Sequence, residues 1–114
     1  MIKTKEQINV KTQRNSDGII KMHLADLADF EGRNPALRMF SRVTLKVGEA
    51  VDFHTHIGEF ESYYILSGIG LYIDHDKTVT VEKGTVTFTP SGKGHGIKNI
   101  GNEPLEFIAL IMKD

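Results

Sequence analysis

The chain has 114 residues, with 14 Lys and Arg against 15 Asp and Glu, five His, no Cys and no Trp. That length sets one domain as the expectation, and a formal net charge of −1 argues against a general nucleic-acid binder, which needs a cationic surplus. The absence of cysteine excludes disulfides, thiolate zinc sites, Cys-held iron–sulfur clusters and Cys nucleophiles, leaving metal or catalytic chemistry to His, carboxylates, Tyr, Lys and hydroxyls.

The first 18 residues are polar, with Ile2, Ile8 and Val10 at a strand-like spacing, and they end at the turn signal Ser16-Asp17-Gly18. Ile19–Leu24 reads as a short strand, and Ala25–Pro35 as an irregular or briefly helical connection. From Leu37 the period becomes two. Leu37, Met39, Ser41, Val43, Leu45 and Val47 share one face, and Arg38, Phe40, Arg42, Thr44 and Lys46 share the other.

Turn signals then recur about every 8–12 residues, the spacing of an all-β sandwich or barrel. Gly48-Glu49 and Gly58-Glu59 punctuate the next segments, and Ser67-Gly68 follows the strand Tyr63–Leu66. Asp74-His75-Asp76-Lys77 joins Gly70–Ile73 to Thr78–Val81, and Lys83-Gly84 precedes Thr85–Thr89. A Pro90–Gly94 turn precedes His95–Asn99, and Asn102-Glu103-Pro104 introduces Leu105–Met112. This last strand is apolar on both faces, so a second sheet or a second subunit must cover its outer side. No apolar stretch has the length of a signal-peptide core or of a bilayer span, so the expectation is a cytoplasmic protein with no membrane partner.

His54 and His56 lie two apart, so on a strand both imidazoles leave from one face, close enough to share a cation through neutral ring nitrogens. A lone His-x-His is weak evidence. Glu61 has the wrong parity to join them on an unbroken strand, but a turn or bulge at Gly58 can reset the facing. By themselves Glu61 reads as a surface residue and His95 as a loop histidine.

Together these residues form two ordered patterns. Gly48, five residues, His54-Thr-His56, four residues, Glu61, six residues and Gly68 make the first; Gly84, five residues, Pro90-Ser-Gly92, two residues, His95, three residues and Asn99 make the second. In both respects the chain resembles the cupin superfamily, as a small single-domain member with both motifs intact. The resemblance implies a double-stranded β-helix, a jelly-roll barrel over residues 37–114, with 1–36 packing on the barrel or on a dimer partner. It also implies His54, His56, Glu61 and His95 as metal ligands; separately, Glu61 is a candidate proton acceptor if it detaches transiently from the ion. Gly48, Gly68, Gly84, Pro90 and Gly92 read as turn formers, and Asn99 as a backbone stabiliser.

Three imidazoles and a carboxylate suit one divalent ion of Mn, Fe, Ni, Co, Cu or Zn. In an octahedral ion two positions stay open for a small oxygen-rich substrate, which makes dioxygenase-, decarboxylase- or isomerase/lyase-type chemistry the expectation. The alternative is a non-catalytic small-ligand-binding or sensory protein. Tyr63 shares parity with Glu61, and Tyr72 lies on the next strand, although simple packing accounts for at least two of the three tyrosines. Phe53, Phe88 and Phe107, with Val43 and Leu45, are expected to line an apolar pocket. Arg38 is a candidate for a substrate carboxylate if its strand end turns inward, against a plain solvated arginine. His23 and His75 fall outside the pattern. The two-faced last strand and the Ile2–Val10 segment point to a homodimer, with N-terminal segments pairing across subunits.

Overall fold

A computed structural model describes residues 1–114. Ten strands follow a short 3-10 turn at Lys5–Gln7: β1 (Val10–Arg14), β2 (Ile20–Asp26), β3 (Leu37–Leu45), β4 (Ala50–Thr55), β5 (Glu59–Ser67), β6 (Ile69–Asp74), β7 (Lys77–Glu82), β8 (Val86–Thr89), β9 (Gly94–Asn99) and β10 (Leu105–Lys113). They form a six-stranded sheet in the order β1-β2-β3-β10-β5-β8 and a four-stranded sheet in the order β4-β9-β6-β7. Every pairing is antiparallel, so the all-β jelly roll expected from the sequence is the fold observed. No helix is long and apolar enough to cross a membrane.

The core lies between the two sheets. β10 sits centrally, with Phe107 opposite Val43 on one side and Ile65 on the other. Leu45, Ile65, Leu105 and Phe107 are fully buried, and Ile97 and Tyr72 meet them from the smaller sheet. The alternation read in β3 is the burial observed, with Ser41, Val43 and Leu45 inside and Arg38, Phe40 and Arg42 outside.

One expectation for the N-terminal region is corrected. Ile2–Val10 is not a strand, because residues 5–7 close a 3-10 turn and extended structure begins only at Val10. β1 pairs with β2 of the same chain, and β2 with β3, so the N-terminal strands extend the larger sheet internally. No helical turn forms in residues 27–36, which run as bends held by side-chain caps from Asp26 and Asn34.

Two glycines show why the motif spacing is rigid. Gly68 has φ +85°, and a Cβ there would lie 2.6 Å from the Pro104 carbonyl oxygen and 2.7 Å from Leu105 Cα. Gly94 admits the Phe53 ring, since a Cβ at that position would lie 2.3 Å from the ring tip. Asn99 donates to the Leu45 and Glu103 carbonyls and accepts from the Gly101 amide, which makes it a structural tie between the sheets.

Candidate metal centre

The site assembles from both sheets. His54 is the penultimate residue of β4 and pairs in register with His95 on β9, so the smaller sheet supplies these two imidazoles side by side. The chain then breaks at 56–58, where Gly58 takes φ +74°, and β5 restarts in the larger sheet with Glu61 facing inward. This turn is the parity reset that an unbroken strand could not give. His56 lies in the turn itself.

Four atoms converge. His56 Nε2 is 3.0 Å from His54 Nε2 and 3.1 Å from His95 Nε2. Glu61 Oε1 is 2.9 Å from His56 Nε2, 2.8 Å from His95 Nε2 and 3.8 Å from His54 Nε2. Neighbouring ligands about 2.1 Å from a shared ion and at right angles to one another stand about 3 Å apart, so these spacings fit one coordination sphere.

The opposite ring nitrogens decide the tautomers. His54 Nδ1–H donates to the Asp52 carbonyl at 2.8 Å, and His56 Nδ1–H donates to the Glu59 carboxylate at 2.8 Å. Both partners only accept, so both Nε2 atoms present lone pairs to the centre. His95 Nδ1 lies 2.8 Å from Tyr72 Oη and 3.0 Å from Thr89 Oγ1, which can accept from the matching tautomer. Glu61 Oε1 is buried without a hydrogen-bond partner. Converging lone pairs around an orphaned carboxylate oxygen repel one another unless a cation or a proton sits among them. The cluster is therefore suited to hold a metal ion.

The electrostatics agree. Without a metal, burial by itself would raise the Glu61 carboxyl, but His54 and His95 imidazoles that carry a proton on Nε2 and donate to it outweigh burial and hold the group down to about 2. The same carboxylate raises the His54 imidazole, against the opposing effect of burial. Burial and the Glu61 charge push the Tyr63 phenol far above its usual range, keeping it neutral.

Above the cluster opens a cavity of about 340 Å³. Phe53, Tyr63, Phe107 and Val43 line it, together with Met22, Met39, Val51, Ala109 and Ile111. Tyr63 also lies nearly parallel to His95, with ring centroids 5.0 Å apart. Tyr72 does not reach the cavity and instead holds His95 from behind.

Three further expected pocket residues lie elsewhere. Phe88 is 58% exposed against Phe60, because Thr87 and Thr89 take the inward positions of β8. Arg38 is skipped where β3 pairs with β10, and its guanidinium lies 3.6 Å from Glu59 in an adjoining cleft. Leu45 is core, not lining. His23 pairs with Glu49 at 3.3 Å, and His75 is exposed in a hairpin loop with φ +56°, so neither joins the cluster. Sequence reasoning missed Glu59, Thr89, Lys21 and Gln13. Only Glu59, three residues beyond His56, carried a local signal.

A jelly roll that brings three imidazoles and one carboxylate together beside a largely apolar cavity defines a barrel built around a metal-type cluster. The chain belongs to the cupin family, whose domain profile matches residues 41–111. It is 42% identical over 103 residues to an oxalate-binding protein of Thermotoga maritima, covering 90% of this chain and 84% of that protein. A crystal structure from the same organism, described as that of a predicted oxalate decarboxylase, superposes over 100% of both chains with a TM-score of 0.89 and 38% identity. Oxalate decarboxylase of Bacillus subtilis is 28% identical over 99 residues, which span 82% of this chain and 25% of the enzyme.

Proposed function

We propose that this chain binds a small carboxylate such as oxalate through one divalent transition metal ion held by His54, His56, Glu61 and His95. The carrying observation is the convergence of three Nε2 atoms on the orphaned Glu61 Oε1 beneath a single cavity. The nitrogen-rich donor set favours Mn, Fe, Co, Ni, Cu or Zn over oxygen-seeking ions. Bound there, the ion supplies Lewis acidity or an electron relay. The protein fixes the imidazole tautomers, keeps Tyr63 neutral beside the site and excludes water with Met22, Val43, Phe107 and Ile111. The name of the Thermotoga maritima relative and the description of the crystal structure from that organism support oxalate as the first ligand to try.

Binding without turnover is favoured over catalysis by one feature of the cavity. Apart from the cluster itself, no buried side chain of its wall is poised to accept a proton, since Tyr63 is kept neutral by burial and the ionisable Lys21 and Asp52 belong to the partly exposed lining. A reaction requiring proton transfer would fall to Glu61, detaching from the ion to accept the proton. Metal-reconstituted protein should bind oxalate by calorimetry and release neither formate nor carbon dioxide, with no oxygen uptake. Turnover lost in Glu61→Gln would establish the enzymatic reading, and absence of metal binding by the wild type would end both.

The outer face of the larger sheet supports a homodimer. Phe40, Leu110, Ser62 and Phe88 form a row in register across β3, β10, β5 and β8, and Ile108, Tyr64 and Val86 continue the apolar surface beside it.

A further inference from the structure

The cavity is completed by strands that precede the segment matched to the family. Gln13 of β1 and Lys21 and Met22 of β2 form part of its wall, whereas the family match begins at residue 41. The register of β1 with β2 shows how a lysine comes to be there. Gln13 pairs with Met22 and Arg14 with Ile20, so Lys21 is the extra residue of a β-bulge. In an unbroken strand Lys21 and the buried Met22 would point to opposite faces. The bulge re-aims one of them, and both line the same cavity.

The Lys21 ammonium is a half-buried cation without an acidic partner or side-chain hydrogen bond. The Gln13 amide beside it likewise makes no hydrogen bond within the protein. Of the carboxylates lining the cavity, Glu61 belongs to the cluster and Asp52 is exposed. A divalent ion, neutral imidazoles and these side chains together leave the cavity net positive, which attracts anions.

We propose that Lys21, aimed inward by the β1/β2 bulge, is a specificity-determining residue that receives the uncoordinated carboxylate oxygens of a small acid chelated at the metal centre, with Gln13 as a neutral second donor. The inference rests on the metal-dependent carboxylate binding proposed above. A chelated carboxylate keeps oxygens turned away from the ion, and a flexible cation above the floor satisfies them by a charge-assisted hydrogen bond. Selection then falls on acids over neutral chelating hydroxy compounds, which offer no such charge.

The test compares wild type, Lys21→Met, Lys21→Arg and Gln13→Ala, each loaded with Mn2+, by calorimetric titration of Mn2+ and then of oxalate. Lys21→Met keeps the side chain's length and apolar packing. It should weaken oxalate binding about 10–100-fold, leave Mn2+ affinity within about threefold, and abolish most of the salt dependence of oxalate binding. Lys21→Arg should restore most of the affinity, and Gln13→Ala should lose less than Lys21→Met. Unchanged oxalate affinity in Lys21→Met, with the wild type binding both metal and oxalate, overturns the role of Lys21 alone. Wild type that binds Mn2+ but no oxalate, malonate or glyoxylate overturns this inference together with the carboxylate reading.

Discussion

Glu59 Oε2 accepts the Nδ1–H of His56 at 2.8 Å, and this contact turns the Nε2 lone pair of His56 toward His54, His95 and Glu61. Carboxylates placed behind a metal-binding imidazole hold its orientation and raise its basicity. Glu59→Ala should therefore weaken metal binding about 10–100-fold while the fold persists. Arg38, half-exposed and 3.6 Å from Glu59, contributes mainly screened charge, so Arg38→Ala should cost far less. Calorimetric titration of Zn2+ or Mn2+ into the two variants checks the order. Equal affinities for Glu59→Ala and wild type would show that His56 is positioned by its turn alone.

His95 is held from behind by two hydroxyls, Tyr72 at 2.8 Å and Thr89 at 3.0 Å, which themselves stand 3.1 Å apart. Either can accept the Nδ1–H when the other is removed. Tyr72→Phe and Thr89→Val should each reduce metal affinity only about threefold, whereas the double variant leaves a buried N–H without a partner and should lose more than the two combined. A double-mutant cycle on metal affinity measures the coupling. Strict additivity would mean that the two hydroxyls act separately.

The extent to which this centre was legible in the sequence follows from the kind of signal each residue carried. His54, His56, Glu61 and His95 stood at fixed distances from turn-forming glycines, and the structure brings their side chains into one cluster. β3 announced its buried face by alternation. Bulges erased that signal elsewhere, because one extra residue changes a side chain's face without any mark in the composition. Lys21 and Arg38 are both skipped in their strand pairings, and parity could not say where either would point. Phe88 was misplaced for a different reason. Its ring suggested a pocket wall, yet β8 turns its threonines inward, and Thr89 serves His95 there. The N-terminal strands were invisible as cavity wall since β1 is exposed along its length and its inward contribution arises only from pairing with β2.

Proton and metal should compete for this centre with a definite sign. The carboxyl of Glu61 is lowered from 4.5 to about 2, so its stabilising contribution is present above its unfolded value and disappears as pH falls through about 2. His54 is raised above 6.5, so its contribution in metal-free protein is complete below 6.5 and is lost as pH rises through the raised value. Above that point the lone pairs face Glu61 unshielded, and a metal ion no longer has to displace a proton. The rise in Tm on adding metal should therefore be small near about pH 5.5 and larger near about pH 8. Differential scanning calorimetry with and without metal would contradict this if the rise were the same at both.

Gly68 combines a left-handed backbone with backbone contact across the fold. Gly68→Ala adds a Cβ where φ is +85° and where Pro104 and Leu105 leave no room for it, and neither neighbour is a flexible side-chain tip. The conformational cost alone is about 1–2 kcal/mol, and displacing the start of β10 adds to it, so a loss of at least about 3 kcal/mol is expected. Gly48→Ala shares the backbone strain but meets nothing within 4 Å, and should lose only the smaller amount. Urea unfolding of the two variants separates strain from overlap, and equal losses would remove the overlap argument.

The outward row from Phe40 through Leu110 to Phe88 gives the proposed homodimer a specific test. Phe40 is 37% exposed, Tyr64 50% and Phe88 58%, all on the face of the larger sheet turned away from the core. A monomer would leave this largely apolar surface, interrupted by Ser62 and bordered by Arg42, in water, where burial against a second copy gains about 25 cal/mol for each Å² covered. Two copies related by a two-fold axis would place the same row against itself, so one substitution alters the contact twice. Leu110→Arg puts a charge at the middle of the row without touching the inward residues Ala109 and Ile111. It should convert a dimer into a monomer by light scattering while metal binding persists, because the cluster faces the opposite side of the sheet. A wild type that is monomeric at micromolar concentration, or a dimer indifferent to Leu110→Arg, would assign this surface another role.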